Sequence, residues 1–295
     1  MKVIQDPCRL CGSEIYHKIA YETRLGIQFT IVQCKNCSLV YTQDSIAEVS
    51  PDYVGLTEQD LNAEHIWRQG KHKEPAFRQC LQLIDSVANK AQMRESLPTI
   101  LDVGCGVGQW LQFVKPRYQC YGFDASTVQA SYAQGNIPNV QCAVSLDEYR
   151  NKTNGALPVF DLITLWDVLE HIRHPIEFTV ELINSLSDQG LFFASIPAAT
   201  PMVIKQKLLA IGWPRSRFSW SPEEHVVYYS PKTIRRLMKQ IGLSVISIGS
   251  VVAYPRPLSV FEVIRRSGFL VTRVMPQLSP QIYVLATKSK RAMEA

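Results

Sequence analysis

Apolar runs of strand length alternate with helical patterns through the middle of the chain. The runs TILDVG, FDLITLWDV and GLFFASIP are typical of buried strands, and segments between and after them, such as IEFTVELINSL, carry the wider apolar spacing of helices. Strands that alternate with helices predict a parallel sheet covered on both faces. The pattern therefore predicts an α/β fold for this part of the chain.

The pattern changes on either side of this region. IYHKIAYETRLGIQFTIVQ contains two or three short alternating strands and LVYT adds another, which predicts a small separate sheet. Further along, Ser230 and Pro231 suit the N-cap and first turn of a helix in SPKTIRRLMKQIG, and LSVISIGSV and QIYVLATK predict two more strands. We predict three parts: a ribbon over residues 1–45, a linker and helical lid over 46–97, and the α/β domain over 98–295.

The composition is that of an ordinary globular protein. Its 295 residues are 46% apolar and 19% charged, which is sufficient for a full α/β core. Since no apolar run approaches the ~18 residues of a membrane span and the first residues lack the apolar centre of a signal peptide, a cytoplasmic location is expected. The net charge of +5 comes mainly from Lys205 onward, and a solvated face is favoured over an anionic partner.

Four of the eight cysteines form a regular pattern. Cys8 and Cys11 make one C-x2-C knuckle, Cys34 and Cys37 make a second, and 22 residues separate the two. Two such knuckles can supply four thiolates to a tetrahedral Zn²⁺, and in a cytosolic chain a metal is favoured over disulfides. A redox pair is the alternative that the spacing leaves open. Because four protein ligands leave no position for water, the predicted zinc is structural.

The stretch LDVGCGVGQW places three glycines directly after an apolar strand. A phosphate-binding loop would need Lys and then Ser or Thr after the last glycine, and a dinucleotide fingerprint would need glycine where Gln109 stands. The turn therefore favours a nucleoside that carries no phosphate. Asp124 ends the next strand, 22 residues after Asp102, where a carboxylate can accept both hydroxyls of a ribose. Capping of the following helix is the alternative role of Asp124.

Five successive motifs resemble those of class I S-adenosylmethionine-dependent methyltransferases, in the small-molecule branch. They lie within about Pro98 to Val251 and are LDVGCGVGQWL, YGFDAS, FDLITLWDVLEHIRHP, GLFFASIP and PEEHVVYYSPKTIRRLMKQIGL. The resemblance implies a Rossmann-like sheet of seven strands with helices on both faces, in which QIYVLATK inserts antiparallel. It also implies S-adenosylmethionine as the cofactor.

By this resemblance, the cofactor lies across the glycine turn and the ends of the neighbouring strands. Asp124 would bind the ribose, the turn would line the methionyl part, and Leu165 and Trp166 would lie near the sulfonium. The residues expected to form the site are Asp102, Gly104, Cys105, Gly106, Gln109, Asp124, Ala125, Leu165 and Trp166.

Three candidate catalytic residues follow the strand FDLITLW. Asp167, Glu170 and His171 stand at i, i+3 and i+4, so they can share one face of a helix. Ubiquinone-type O-methyltransferases carry a similar acidic-x-x-Glu-His trio that holds a divalent cation, and the resemblance implies a second cation here. Hydrogen bonds that only fix the loop are the alternative role of Glu170 and His171.

His225 is the other candidate base. It lies after the fifth strand of the α/β domain, in a loop that often closes over the substrate in folds of this kind, and a histidine bonded only to backbone is the alternative. The segment before it, MVIKQKLLAIGWPRSRFSW, mixes apolar, aromatic and basic residues, and we predict that it forms a substrate lid.

The predicted activity is methyl transfer from S-adenosylmethionine to O, N or C of a small-molecule acceptor, in a natural-product or glycan pathway. Methyl transfer from a sulfonium is an in-line displacement, so the protein supplies orientation and, for a protonated acceptor, a base. The knuckles resemble those at the start of sugar C-methyltransferases and those of zinc-ribbon ribosomal RNA methyltransferases. An RNA methyltransferase and a non-catalytic cofactor-binding module are therefore the alternatives. Nucleic acid is disfavoured because the ribbon has no Arg-rich strip interleaved with aromatic residues.

Overall fold

The computed structural model describes residues 6–24, 26–43, 63–87, 97–152, 155, 157–210, 220–251 and 275–289, with the side chains of the first helix described from residue 71. The strands are β1 (Tyr16–Arg24), β2 (Ile27–Cys34), β3 (Val40–Thr42), β4 (Thr99–Val103), β5 (Gln119–Phe123), β6 (Val140–Ala143), β7 (Phe160–Trp166), β8 (Leu186–Pro197), β9 (Val227–Tyr228), β10 (Leu243–Ser250) and β11 (Gln281–Lys288). The α-helices are α1 (Ala63–Val87), α2 (Gln109–Val114), α3 (Thr127–Asn136), α4 (Leu146–Lys152), α5 (Pro175–Asn184), α6 (Ala199–Ala210) and α7 (Pro231–Gln240).

The larger sheet has seven strands in the order β10-β11-β8-β7-β4-β5-β6. Strands β4 to β8 run parallel, whereas β11 is antiparallel to both of its neighbours, β8 and β10. This is the predicted Rossmann-like sheet, and QIYVLATK is the strand that inserts antiparallel. Parallel strands present their carboxyl ends at one edge, and the reversal of strand order beside β4 marks the place where such sheets bind ligands.

The helix after Ser230 begins as its sequence predicts. The Ser230 hydroxyl accepts a hydrogen bond from the Thr233 amide, and the Thr233 hydroxyl accepts one from the Ser230 amide. Pro231 occupies the first turn, where its missing amide hydrogen costs nothing. This capping box fixes where the chain leaves the segment that carries His225.

The smaller sheet has four strands in the order β1-β2-β3-β9, all antiparallel. Its first three strands confirm the strands predicted near the knuckles. Its fourth, Val227–Tyr228, comes from much later in the chain, and the sequence pattern did not indicate it. A two-residue strand is too short to show an alternating pattern of its own.

One of the buried clusters contains residues of both the ribbon and the α/β domain. It contains Leu10, Leu39 and Tyr41 of the ribbon together with Val227 and Ile234 of the later chain. The proposed boundary at residue 45 therefore separates two stretches of sequence that share one core. Residues 46–62 and 88–96 of the predicted linker and helical lid lie outside the described residues. Residues 211–219 of the predicted substrate lid also lie outside them.

Helix α1 lies within the region that the sequence predicted as helical, and α6 forms the first part of the predicted lid. Among the residues that the structure describes, no helix combines the length and apolar character needed to cross a bilayer.

Two glycines provide a test of this packing. A Cβ on Gly122, in the central part of β5, would lie 2.7 Å from Leu111 Cδ1 and 3.0 Å from Cys105 Cβ, whereas a Cβ on Gly135 in α3 would have no neighbour within 4 Å. Gly122→Ala should therefore lower the free energy of unfolding by about 1–3 kcal/mol through overpacking. Gly135→Ala should raise it by about 0.5–1 kcal/mol because alanine favours the helix. Denaturant unfolding measures both, and equal effects would contradict the packing described.

Candidate functional site

The glycine turn joins β4 to α2 in left-handed backbone. Gly104, Gly106 and Gly108 have φ angles of 67°, 53° and 79°. A side chain is strained at such angles, and a Cβ on Gly104 would also lie 2.5 Å from Val168 Cγ2. The turn thus brings bare backbone to the carboxyl edge of the sheet, with Gln109 as the first residue of α2.

The Asp124 carboxylate stands beside this turn at the end of β5. One of its oxygens accepts a hydrogen bond from the Gly106 amide at 2.8 Å, and the other accepts one from the Ser126 amide at 2.9 Å. Burial raises the pKa of the Asp124 carboxyl, and these two amides oppose that shift. Each oxygen keeps a lone pair for a further donor, such as a ribose hydroxyl. Ala125 is exposed next to it.

Asp102 and Cys105 support the turn from within the protein. The Asp102 carboxylate accepts a hydrogen bond from the Thr164 hydroxyl at 2.7 Å, and that hydroxyl accepts one from Trp110 Nε1 at 3.0 Å. Burial raises the pKa of Asp102 to about 8. The Cys105 thiol is buried against Gly122, so only its backbone is available at the turn. The side chains of both predicted cofactor residues are therefore buried.

An aromatic cluster surrounds the end of β7. The Trp166 ring lies 5.1 Å from that of Phe77, 5.3 Å from that of Trp110 and 5.0 Å from that of Phe193, measured between centroids. Trp166 Nε1 is buried and has no hydrogen-bond partner among the described residues. Leu165 is fully buried in the core, so its side chain reaches the site only as packing.

The prediction that Asp167, Glu170 and His171 share a helix face is wrong. Asp167 has a φ of 57°, and only a single 3-10 turn, Leu169–His171, follows it. The Asp167 amide bonds to the Ser195 carbonyl, and its carboxylate accepts a hydrogen bond from Gln281 Nε2 at 2.7 Å. Asp167 therefore does not share a helix with Glu170 and His171, although its charge is near enough to act on the pKa of Glu170.

Glu170 is 1% exposed, and neither of its carboxylate oxygens has a hydrogen-bond partner among the described residues. Burial, reinforced by the nearby negative charge of Asp167, raises the pKa of the Glu170 carboxyl well above its usual range. A bare carboxylate in such a place is costly unless it holds a proton or a cation. Glu170 is therefore either protonated or paired with a cation.

The structure brings the two candidate histidines together. The rings of His171 and His225 lie 4.9 Å apart between centroids. His171 Nδ1 lies 2.8 Å from the Glu224 carbonyl, and because a carbonyl only accepts, Nδ1 carries the hydrogen and Nε2 keeps a lone pair. Burial, with a smaller contribution from His171, lowers the pKa of His225 to about 4. At neutral pH, His225 is therefore an uncharged imidazole with a lone pair on one ring nitrogen.

These histidines also belong to a group of possible metal ligands. Ligand atoms of Glu170, His171 and His225 all lie within 4.8 Å of one another. The sequence predicted a trio of Asp167, Glu170 and His171. The group in the structure contains His225 and not Asp167.

The four knuckle cysteines converge on one point. Their sulfur atoms lie within 4.8 Å of one another, with Cys8 and Cys37 at 3.5 Å and Cys11 and Cys34 at 3.6 Å. The hydrogen bond shared by Cys8 and Cys37 lowers the pKa of the Cys37 thiol to about 5 and raises that of Cys8. This set fits a tetrahedral thiolate site for Zn²⁺.

The family described as a methyltransferase domain matches residues 72–248, which is more than half of the chain. The fold, the glycine turn and this match agree, and the protein belongs to that family of methyltransferase domains.

Two curated relatives are ubiquinone biosynthesis O-methyltransferases. The chain is 28% identical over 159 residues to the one from Ruegeria sp. (strain TM1040), which covers 49% of this chain and 60% of that protein. It is 25% identical over 170 residues to the one from Cereibacter sphaeroides (strain ATCC 17029 / ATH 2.4.9), covering 53% of this chain and 64% of that protein. The chain thus spans about three fifths of the length of these relatives.

A solved structure shares the fold. A chain of the Haloferax volcanii complex that contains the Trm112 methyltransferase activator is 13% identical, with a TM-score of 0.52. The similarity covers 79% of this chain and 96% of that chain.

Several residues at the site escaped the sequence reasoning. Thr164 and Gln281 hold the carboxylates of Asp102 and Asp167, and the positive charge of Lys73 opposes the raised pKa of both acids. Thr164, Gln281 and Lys73 each lie on an element other than the one that carries or precedes the acid with which they interact. Only Thr164 carried a signal in the sequence, because a polar residue inside an apolar strand indicates a buried hydrogen-bond partner.

Asp124→Ala should weaken the binding of S-adenosylmethionine about 10- to 100-fold, because each hydrogen bond to a charged group contributes about 1.5–3 kcal/mol. Asp188→Ala is the matched control, since Asp188 is exposed and pairs with Lys288 on the outer part of the sheet. Calorimetry of the folded variants measures both affinities. Equal affinities for the two variants would remove Asp124 from the site.

Asp102 should make stability depend on pH. In the unfolded chain Asp102 ionises near pH 4, whereas the folded protein holds the proton until about pH 8. Between these values the unfolded state binds fewer protons, so the free energy of unfolding falls as the pH rises and the loss is complete above pH 8. Asp102→Asn cannot ionise and should reduce this slope. Denaturant unfolding at pH 5 and pH 8 tests this, and an identical slope in both proteins would contradict it.

Proposed function

We propose that the protein transfers a methyl group from S-adenosylmethionine to a hydroxyl oxygen of a small-molecule acceptor. The observation that carries this proposal is the meeting of three features at one edge of the sheet: the glycine turn after β4, the Asp124 carboxylate after β5, and the paired histidines beyond β7. The curated relatives named as O-methyltransferases support oxygen as the acceptor atom.

The residues at this edge fit S-adenosylmethionine. The turn presents backbone without side chains in left-handed conformation, and Asp124 keeps acceptor capacity for ribose hydroxyls. The unpartnered Trp166 Nε1 is a donor for a polar group of the cofactor. When bound, the cofactor supplies an electrophilic methyl group on a sulfonium. The chain supplies orientation and excludes water through the aromatic cluster around Trp166.

His225 is the proposed base. A hydroxyl acceptor must lose its proton as its oxygen forms the bond to the methyl carbon and the carbon–sulfur bond breaks. The uncharged His225 imidazole can take that proton, and His171, fixed by the Glu224 carbonyl, orients the ring pair. The proposed lid, which begins with α6, would then cover the acceptor.

A divalent cation beside the acceptor is the second candidate for this region. Glu170, His171 and His225 present their ligand atoms within 4.8 Å, and the unpartnered Glu170 oxygens favour a bound charge. An ion held there would lower the pKa of a coordinated hydroxyl and replace the need for a protein base. The two histidines serve either arrangement.

The ribbon site is proposed to hold one structural Zn²⁺ through Cys8, Cys11, Cys34 and Cys37. An RNA acceptor and a non-catalytic module remain the alternatives. Phosphate contacts would make RNA binding fall steeply with salt. A non-catalytic module would bind the cofactor and form no product with any acceptor.

Incubation with labelled cofactor and a metabolite extract that contains small hydroxyl compounds, followed by identification of the labelled product, tests the proposal. His225→Ala should lower kcat about 10²- to 10⁴-fold and leave cofactor affinity near that of the wild type. His174→Ala is the control, because His174 is an exposed histidine that precedes α5. Full kcat in His225→Ala would remove His225 as the base.

The same activity assay distinguishes a His225 base from a cation bound by Glu170, His171 and His225. If Glu170, His171 and His225 hold a cation, His171→Ala should be as damaging as His225→Ala. Mg²⁺ should also restore activity after EDTA treatment of protein in which metal analysis shows that the ribbon zinc is retained. If His225 acts alone, added Mg²⁺ should change nothing. Labelled product on RNA, formed in a salt-dependent manner, would replace the small-molecule proposal.

A further inference from the structure

The segment that carries His225 is held by the zinc ribbon as well as by the α/β domain. We define residues 220–229 as the His225 segment. The Thr42 amide donates to the Val226 carbonyl at 3.1 Å, and the Thr42 hydroxyl donates to the His225 carbonyl at 3.0 Å. The pairing of β3 with β9 continues this contact as a short antiparallel ladder. One ribbon residue therefore holds two successive carbonyls of this segment, those of His225 and Val226.

Arg9 connects these contacts to the metal ligands. It lies between Cys8 and Cys11 in the chain, and its side chain is 4% exposed. Its guanidinium donates to the Thr42 carbonyl at 3.1 Å and to the Val226 carbonyl at 3.3 Å. Since the proposed zinc would hold the Cys8–Cys11 knuckle in shape, the position of Arg9 would depend on the ribbon site.

The ribbon also holds the start of the same segment. Arg24, at the end of β1, donates to the Trp220 carbonyl at 3.4 Å and lies 3.7 Å from the Glu223 carboxylate. The opposite side of the segment contacts the α/β domain, because the Val226 amide donates to the Glu170 carbonyl at 2.8 Å. The distance between the two histidine rings therefore depends on contacts from both sheets.

Among the described residues, the hydrogen bonds of Asp124 come from Gly106 and Ser126 and involve no ribbon residue. Asp124 and the glycine turn are held by β4, β5 and the residues that follow them, all within the larger sheet. A change in the ribbon can therefore move the His225 segment and leave the cofactor site intact.

We infer that the zinc ribbon is a positioning element of the acceptor site, and that Thr42 and Arg9 are the residues that transmit its structure to His225. Loss of the ribbon metal releases the His225 segment and lowers turnover, whereas cofactor binding persists. The effect on turnover rests on the proposed function, but the effect on the segment does not.

The test compares three variants of the full chain. Thr42→Val removes the hydroxyl donor and keeps the β-branched shape, Thr42→Ser keeps the donor, and Thr30→Val makes the same change on β2, which pairs with β1 and β3 only. Metal analysis at about one zinc per chain shows that each variant keeps its ribbon. The measurements are hydrogen–deuterium exchange of peptide 220–229, cofactor affinity and kcat.

Thr42→Val should increase exchange in peptide 220–229 about fivefold or more, because local opening becomes easier when a buried carbonyl loses its donor. It should lower kcat about 10- to 100-fold, as expected for a displaced catalytic group, with cofactor affinity unchanged. Thr42→Ser should restore both values, and Thr30→Val should resemble the wild type. Equal exchange in Thr42→Val and Thr30→Val would overturn the inference, whether or not turnover is detected.

Zinc removal from the wild type is the second arm. A chelator should increase exchange in peptide 220–229 but not in α3, residues 127–136, and added zinc should reverse the change. Unchanged exchange in peptide 220–229 after zinc loss would overturn the inference. An equal increase in α3 would overturn it too, since the ribbon would then act on global stability and not on position.

Discussion

The backbone amides and carbonyls of the His225 segment need hydrogen-bond partners on two sides of the segment. The arrangement of the site depends on this constraint. On one side it pairs with β3 and receives donors from Thr42 and Arg9. On the other side the Val226 amide bonds to Glu170 and the Tyr229 carbonyl accepts from the Ala199 amide. Buried amides and carbonyls are costly when unpaired, so neither side can be lost without consequence. A two-residue strand thereby joins the ribbon to the α/β domain.

The edge of the larger sheet explains why the chemistry gathers where it does. Strands β4, β5 and β7 are parallel neighbours, so their carboxyl ends bring the glycine turn, Asp124 and Trp166 side by side. Buried acids beneath and beside this edge are held by specific partners, as Asp102 is by Thr164. Glu170 is the exception, because it is buried without a partner among the described residues. Its ligand atoms lie within 4.8 Å of those of the paired histidines, His171 and His225.

Long periodic segments were predictable because their patterns repeat over many residues. The seven strands of the larger sheet, the helix after Ser230 and the convergence of the knuckle cysteines follow from local signals of this kind. The predicted helix over Asp167 to His171 was wrong because spacing alone does not fix backbone conformation. The Asp167 amide bonds to the Ser195 carbonyl, and this contact places Asp167 in left-handed backbone.

The sequence by itself determined the α/β fold, the cysteine cluster, the glycine turn and the identity of the candidate groups, because each is encoded by residues close together in the chain or by a repeating pattern. Only the tertiary structure decided that His171 and His225 meet, that Asp167 is held by Gln281, and that Thr42 holds the carbonyl of His225. These contacts join residues between 54 and 183 positions apart or involve backbone atoms, which every residue carries. Any residue type can accept a hydrogen bond through its backbone carbonyl, so the sequence does not indicate which carbonyl accepts. No sequence pattern could therefore predict the contact between Thr42 and the His225 carbonyl.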